Sequence, residues 1–194
     1  MTFFARITSF LLSPMVVSFP ALYLLVDKVT NNNIYALKWT IISYFFIFAV
    51  AVFVLMCVLF GIFSDFDISK REQRPLLFSF VGLIALFYFL FLFVFNGPKV
   101  LFVVIFAVVL GLIIVSIVNQ WIKASMHVAI ISSIIFGVAI IYGGAYLLSL
   151  SLIPVMAWSR VKIKKHTPLE ATIGGILGGL LTIIMYIVSR QLFL

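Results

Sequence analysis

Charged residues are scarce in this sequence. Asp, Glu, Lys and Arg together make up 9% of its 194 residues, whereas 65% are hydrophobic and the mean hydropathy is +1.35. Soluble domains carry a charge on about a quarter of their residues. This shortage of charge excludes a soluble globular protein, and at this length we expect no soluble domain beside the apolar segments.

Acidic residues and cysteine are scarcer still. Five residues are acidic against 13 that are basic, and Cys57 is the one cysteine. A single thiol excludes an internal disulfide, and its apolar surroundings indicate packing. Because the few carboxylates form no larger acidic cluster, we expect neither a metal nor a cofactor.

Basic residues are in excess, which gives the chain a net charge of +8. In a soluble protein that charge would indicate nucleic acid, but here the cations lie in short connections between apolar runs. Anionic lipid head groups and phosphate-bearing substrates are the partners that such cations favour. We therefore expect the membrane bilayer and an anionic lipid head group or phosphate-bearing substrate as partners, and no nucleic acid.

Long apolar runs dominate the sequence, and each is predicted to be a helix because backbone polar groups must be satisfied inside hydrocarbon. A spanning helix needs about 20 residues, so six or seven fit in the chain. Gly143-Gly144 is taken as a turn, since one helix over 126–158 would be too long for a crossing. The predicted helices cover residues 5–26, 36–63, 75–95, 98–119, 126–142, 144–158 and 168–192.

The predicted fold is an all-α polytopic transmembrane helical bundle with six to seven spanning helices, forming one integral membrane domain over residues 1–194. The first helix is expected to be retained and not removed as a signal peptide. The expected location is the plasma membrane of a prokaryote. Glycines at helical spacing give the last helix a small-residue face for close packing: Gly174, Gly175, Gly178 and Gly179.

Most of the charge falls on one predicted face. Helices that cross alternately place three connections, residues 64–75, 119–127 and 159–167, on the same side of the membrane. These connections contain both histidines of the chain, His127 and His166. The positive-inside rule explains clustered Lys and Arg, but it does not explain two histidines. The alternative is that the connections line a site.

The stretch HTPLE offers a histidine beside a carboxylate. His166 and Glu170 are four residues apart, so on a helix they share a face. The carboxylate could then accept the Nδ1 proton and leave Nε2 free as a nucleophile or base. Thr167 to Glu170 also fits a capping box, with Pro168 at the first helical position. The spacing alone does not separate these two roles of Glu170.

The stretch KASMH opens the fifth predicted helix. Free backbone amides and the positive end of the helix dipole favour an anion there, next to Lys123 and Ser125. His127 could be an ordinary interfacial residue. Paired with His166 across the same face, it becomes a candidate general acid.

The stretch SDFDISKREQRP adds further cations. Lys70, Arg71 and Arg74 are spaced so that on a helix they could share a face and hold phosphate oxygens, although solvated surface charges are an equal alternative. Asp65 and Asp67 could instead bind a divalent metal. Two carboxylates without a further acidic cluster make a poor site for one.

These stretches resemble the signatures of the type 2 phosphatidic acid phosphatase superfamily. SRVKIKKHTPLE is similar to the third signature, which reads Ser-Arg, five residues, His, three residues, Asp. Ser159, Arg160 and His166 match it in spacing, and Glu170 replaces the aspartate.

The other two signatures are matched in part. ASMH resembles the second signature, Pro-Ser-Gly-His, through Ser125 and His127, and KREQRP resembles the first, Lys, six residues, Arg-Pro, through Arg74 and Pro75. The departures are Ala124 for proline, Met126 for glycine and Asp67 for the lysine.

The resemblance implies a membrane-embedded lipid phosphatase that works without a metal through a phosphohistidine. By position, His166 attacks, Glu170 orients it and His127 protonates the leaving group. The residues implied to hold the phosphate are Arg74, Arg160 and Ser125, with the role of the absent lysine falling to Lys70, Arg71 or Lys123. The implied substrates are lipid phosphates or diphosphates, either prenyl and polyprenyl (di)phosphates or phosphatidate-type lipids.

Two other classes of function fit parts of the sequence. A non-catalytic transporter or lipid-binding subunit could retain the site as an anion pocket, and the departures at Asp67, Ala124 and Met126 favour that alternative. A metal-dependent prenyl- or phosphoalcohol transferase could be built on Asp65 and Asp67.

Overall fold

The computed structural model describes residues 1–193, with side chains through residue 190, so residue 194 of the predicted domain lies outside the described residues. Within that part of the chain there is no strand, and the all-α prediction is confirmed. Short 3-10 segments, Arg71–Gln73 and Gly144–Ser151, precede α4 and α7. The α-helices are α1 Thr2–Leu11, α2 Pro14–Thr30, α3 Asn33–Leu59, α4 Arg74–Val94, α5 Lys99–Val118, α6 Met126–Tyr142, α7 Leu152–Lys162 and α8 Pro168–Phe193.

Helix length and surface composition identify an integral multi-pass membrane protein. α6 is apolar but has 17 residues, at the lower limit for a crossing. Large apolar side chains cover the outside, with Phe45 73% and Phe93 71% exposed, as suits a surface in contact with lipid. The segments long and apolar enough to cross a membrane are Thr2–Thr30, Asn33–Leu59, Arg71–Val94, Lys99–Val118, Gly144–Lys162 and Pro168–Arg190.

Two helix boundaries depend on proline and glycine. The prediction of one continuous helix over residues 5–26 is wrong, because Ser13 is extended and Pro14, which lacks an N–H, starts a new helix. The turn at Gly143 and Gly144 is confirmed, with φ of 62° and 52°, a region open to glycine. The chain after this turn is 3-10 before α7 begins, so the predicted helix over 144–158 is α-helical only in its second half.

The described core has two main apolar clusters. The first contains residues of α2, α3, α4 and α5, which pack around Trp39, Leu92 and Leu101. The second joins α6, α7 and α8 around Ile131 and Met156 and lies directly beneath the starts of α6 and α8. It therefore supports the two helices that carry His127 and Glu170.

α6 and α8 form the closest helix pair, through the predicted glycine face. A Cβ on Gly174 would lie 2.5 Å from the Ser125 carbonyl oxygen, so the two backbones are in contact. Hydroxyl groups of α6 donate to α8 carbonyls, Ser132 Oγ to Gly175 O at 2.7 Å and Ser133 Oγ to Gly178 O at 3.0 Å. Small residues and interhelical hydrogen bonds are what joins helices in lipid. This contact fixes the start of α8 against the start of α6.

Gly178→Ala is predicted to separate α6 from α8, because the added methyl group would overlap the Ala129 carbonyl oxygen. Overpacking of this kind costs about 1–3 kcal/mol. The thermal unfolding temperature in detergent should therefore fall by several degrees. Gly82→Ala is the control, because its methyl group would meet no atom within 4 Å. An unchanged transition for Gly178→Ala would contradict the close contact of these helices.

Candidate functional site

The charged connections meet at one end of the bundle, here called the site end. They are loop A (60–73, between α3 and α4), loop B (119–125, between α5 and α6) and loop C (163–167, between α7 and α8). The Ser125 N–H of loop B donates to the Glu170 carbonyl oxygen at 3.0 Å, just beyond loop C. Arg71 of loop A donates to the Trp121 carbonyl oxygen of loop B, and Asp67 of loop A lies 3.2 Å from Lys165 Nζ of loop C, so the predicted convergence of the three connections is confirmed.

Arg74 ties loop A to loop B at the start of α4. Arg74 is 2% exposed, and its guanidinium donates from Nη1 to Asn119 Oδ1 at 2.6 Å and to the Ala124 carbonyl oxygen at 3.3 Å. Nε donates to the Ile68 carbonyl oxygen at 3.4 Å. Much of its donor capacity is thus used within the protein, and Arg74 positions the loops.

The other predicted cations of these loops have different environments. Lys70 is exposed at the start of the 3-10 turn in loop A. Arg71 donates to the Trp121 carbonyl oxygen at 2.7 Å and so joins loop A to loop B. Lys123 donates to the Lys165 carbonyl oxygen at 3.4 Å, which brings its ammonium group to loop C. Of the three, Lys123 lies in the pocket that contains His166.

His166 and Glu170 form a direct contact, with 2.9 Å between Nδ1 and Oε2. The same Oε2 accepts the Thr167 N–H at 3.1 Å, and the Glu170 N–H donates to Thr167 Oγ1 at 3.3 Å. The capping box and the histidine contact therefore coexist. With its Nδ1 proton held by the carboxylate, the ring keeps its lone pair on Nε2.

Burial sets the charge state of His166, whose side chain is 5% exposed. Burial lowers the pKa of His166 to about 4, the hydrogen bond with Glu170 opposes that shift, and the charges of Arg160 and Lys123 add to it. The ring is therefore neutral at neutral pH. A neutral imidazole oriented by a carboxylate is the form that can act as a nucleophile.

Arg160 and Asp67 form the central ion pair of the site end. Arg160 is 3% exposed and donates from Nη2 to Asp67 Oδ1 at 2.8 Å and from Nη1 to Ser9 Oγ of α1 at 3.0 Å. Asp67 Oδ2 lies 3.2 Å from Lys165 Nζ, and Oδ1 lies 3.9 Å from His127 Nε2. Burial acts to raise the pKa of Asp67, but Arg160 and His127 outweigh it and hold that pKa below its ordinary value.

The two histidines belong to one site. Each adjoins the ion pair of Arg160 and Asp67: His127 Nε2 lies 3.9 Å from Asp67 Oδ1, and the His166 N–H donates to the Arg160 carbonyl oxygen at 3.4 Å. Ser125 lies beside His127 and is fully buried. Ser125 Oγ and Arg160 Nε are buried atoms without a hydrogen-bond partner among the described residues. The site thus combines two imidazoles and a carboxylate with two unused donors.

A wide, open pocket of about 400 Å³ gives access to His166 from outside the protein. Its charged and polar lining comes from loop B, loop C and the start of α8, and includes Lys123, Lys164, Lys165, His166, Thr167 and Glu170. Three ammonium groups around one imidazole make this mouth attractive to an anion.

Two acidic residues of loop A, Asp65 and Asp67, are held by cations. Asp65 Oδ1 accepts the Asp67 N–H at 2.9 Å and the Ser69 hydroxyl at 3.0 Å, and it lies 3.4 Å from Lys165 Nζ. Among side chains of residues 1–190, no three from His, Cys, Asp and Glu are grouped to hold a metal ion. Asp65 and Asp67 thus serve as counter-ions to Arg160 and Lys165.

Three residues of the site end were not predicted from the sequence: Ser9, Asn119 and Lys165. Ser9 is 151 residues from Arg160 and no pattern links them. Lys165 directly precedes His166 in the basic stretch, so its position in the sequence already indicated that it lies near the site. Asp67 stands where the resemblance implies a lysine, and a carboxylate among so many cations is a signal for an ion pair.

Fold and site together define a polytopic helical membrane protein with a histidine–carboxylate pair in a cationic pocket. The chain matches no protein-family model, no curated protein and no solved structure. A function for it therefore has to be supported by the site's own chemistry.

The buried, neutral His166 is predicted to make stability depend on pH. Its pKa is about 4 in the folded protein and 6.5 in an unfolded chain, so between these values the unfolded chain binds the extra proton. Stability should be full above the unfolded pKa and fall as pH decreases through this window. Unfolding by denaturant at several pH values measures the effect, and His166→Gln should reduce the slope. An identical slope in that variant would contradict the buried neutral ring.

Proposed function

We propose that this protein is a membrane-embedded lipid phosphatase, which hydrolyses a lipid phosphate or diphosphate through a phosphohistidine intermediate without a metal. The observation that carries the proposal is the buried His166 with Glu170 2.9 Å from its Nδ1, at a cationic pocket. Phosphoryl transfer to histidine needs such a nucleophile and fixed cations around the phosphate. The resemblance of the three loops to the type 2 phosphatidic acid phosphatase superfamily supports the same roles.

In the first step, the Nε2 lone pair of His166 attacks phosphorus and the bond from phosphorus to the lipid oxygen breaks. The leaving oxygen takes a proton from His127, whose protonated form a bound phosphate anion favours. Glu170 stabilises the positive charge that develops on the His166 ring. Arg160 and Lys165 offset the charge on the phosphate oxygens.

In the second step, water attacks the phosphorus of the phosphohistidine and the P–N bond breaks. His127, now neutral, accepts the proton of the attacking water. Inorganic phosphate leaves and His166 returns to its neutral form with its Nδ1 proton on the Glu170 side. Ser125 Oγ, buried and without a partner among the described residues, is the donor proposed to assist in holding the phosphate.

The substrate class follows from the surroundings of the site. A pocket at the end of an apolar bundle suits a phosphate head group whose tail stays in the bilayer, such as a prenyl or polyprenyl (di)phosphate or a phosphatidate-type lipid. Within the same proposal the protein is in the plasma membrane of a prokaryote. The concentration of Lys and Arg at the site end is the positive-inside pattern, which favours the cytoplasmic side.

A second candidate function is a non-catalytic anion pocket in a transporter or lipid-binding subunit. The ion pair between Arg160 and Asp67 favours it, because a carboxylate already neutralises the cation that a catalytic site would direct at phosphate. Such a protein binds lipid phosphates but releases no phosphate from them. A metal-dependent transferase would differ again, since a chelator would abolish its activity.

His166→Ala is predicted to abolish phosphate release from lipid phosphates by the purified protein in detergent or vesicles, because the attacking atom is lost. A panel of phosphatidate and isoprenoid mono- and diphosphates, with inorganic phosphate as the readout, is the measurement. Lys162→Ala is the matched control, because this cation of the same stretch is exposed and lies outside the pocket lining. Undiminished release by the His166 variant would overturn the proposal.

Glu170→Gln is predicted to separate the capping role of Glu170 from its catalytic role. Glutamine keeps an oxygen for the Thr167 N–H and so preserves the capping box. It carries no charge to stabilise a positive His166 ring, so phosphate release should fall by about 10²-fold or more. The unfolding temperature should stay near that of the wild type. Equal loss of stability and activity would indicate a capping role alone.

A further inference from the structure

We propose that Asp67 is an internal competitor for the phosphate site, which must leave Arg160 and Lys165 before a phosphate can bind and returns to them when the product leaves. The inference rests on the proposed function in taking the ligand to be the phosphate of a lipid. It assigns a role to the residue that stands where a lysine would be expected.

Asp67 makes the contacts that a bound phosphate would make. Its two oxygens lie 2.8 Å from Arg160 Nη2 and 3.2 Å from Lys165 Nζ, and one of them lies 3.9 Å from His127 Nε2. Arg160 uses Nη1 on Ser9, so Nη2 is the donor occupied by Asp67. Arg160 Nε has no partner among the described residues, so a phosphate gripped by the fork of Nε and Nη2 would displace Asp67 from Nη2.

The backbone of loop A is built to hold Asp67 in this position. Ile68, the next residue, has φ of 49°, a left-handed conformation that is strained for a β-branched residue. It is 3% exposed and packs with Phe63 and Cys57. The Asp67 N–H is also held by the Asp65 carboxylate at 2.9 Å. Strain that is retained by packing is typical of functional positions.

Asp67 is also able to leave. Its side chain is 23% exposed, whereas that of Arg160 is 3% exposed, so the carboxylate has a route to water that the guanidinium lacks. Asp67 remains ionised at neutral pH because its pKa is held low. An exchange of carboxylate for phosphate keeps the buried Arg160 paired with an anion throughout, which avoids an uncompensated buried charge.

The competition weakens the binding of every anion by the same factor. A lipid phosphate compensates through its tail, which the bilayer holds near the site at high local concentration. Free inorganic phosphate has no tail, so it is the ligand that Asp67 displaces after hydrolysis. Competition by Asp67 therefore favours release of inorganic phosphate, although Asp67 does not distinguish the phosphate of the lipid from free phosphate.

The test measures the binding of inorganic phosphate to the full-length protein in detergent, as the rise in unfolding temperature with phosphate at constant ionic strength. Asp67→Asn keeps the shape of the side chain and removes its charge. We expect this variant to bind phosphate about tenfold or more tightly than the wild type. Removing a charged group that competes for the same donors changes anion affinity by at least this factor. Phosphate should also become a stronger inhibitor of lipid hydrolysis by the same factor.

Asp65→Asn is the matched control, because it removes the same charge from the same loop but its carboxylate contacts Lys165 and not Arg160 or His127. Its phosphate affinity should stay within a few-fold of the wild type. Equal gains in both variants would show a general field effect and overturn the proposal, as would unchanged or weaker phosphate binding by Asp67→Asn.

An Asp67→Asn protein that is unstable alone is also informative. Phosphate should then restore its unfolding temperature, because it replaces the missing partner of Arg160, whereas an equal ionic strength of chloride should not. Instability that phosphate does not relieve would overturn the proposal. Because binding is measured and not turnover, absent hydrolysis would defeat the proposed function while leaving this test decisive.

Discussion

The pairing of the buried Arg160 with Asp67 is the interaction on which the site end depends. A guanidinium that is 3% exposed requires a partner, because an unpaired charge in such a place is strongly destabilising. The pair joins the last turn of α7 to loop A, and the second Nη atom adds Ser9 of α1. Three segments that are distant in the chain are thereby held around one cation.

The histidines are positioned by a separate constraint, the close contact of α6 with α8. Glycines on α8 let the backbones touch, and the Ser125 N–H bonds to the Glu170 carbonyl oxygen at the end of that contact. The start of α6 carries His127, and Glu170 in the first turn of α8 holds His166. A packing motif typical of membrane helices thus sets the geometry of polar chemistry at the membrane surface.

Much of the fold could be predicted from the sequence because hydrocarbon permits few structures. Apolar runs must be helices, and alternate crossing brings loops A, B and C to one end. The break at Ser13-Pro14 was not predicted, since proline is tolerated within membrane helices and residues 7–26 carry no charge. Local spacing also predicted the contact of His166 with Glu170, because residues four apart share a helix face.

Long-range partners could not be predicted in the same way. Arg160 pairs with Asp67, and Arg74 donates to Asn119. Both contacts depend on how loops of irregular backbone fold, including the left-handed conformation of Ile68. No periodicity encodes such contacts. For the same reason the sequence offered Arg74 as a phosphate ligand, whereas its donors reach Asn119 and the loop carbonyls.

Direct detection of the covalent intermediate tests whether His166 is the nucleophile. The purified protein would be exposed briefly to a lipid phosphate labelled in its phosphate group, quenched in alkali, which preserves phosphohistidine, and digested to locate the label. We predict that His166 carries a label that is lost in acid, and that the His166→Ala variant carries none. Labelled phosphate released by a protein that never carries label on His166 would contradict it.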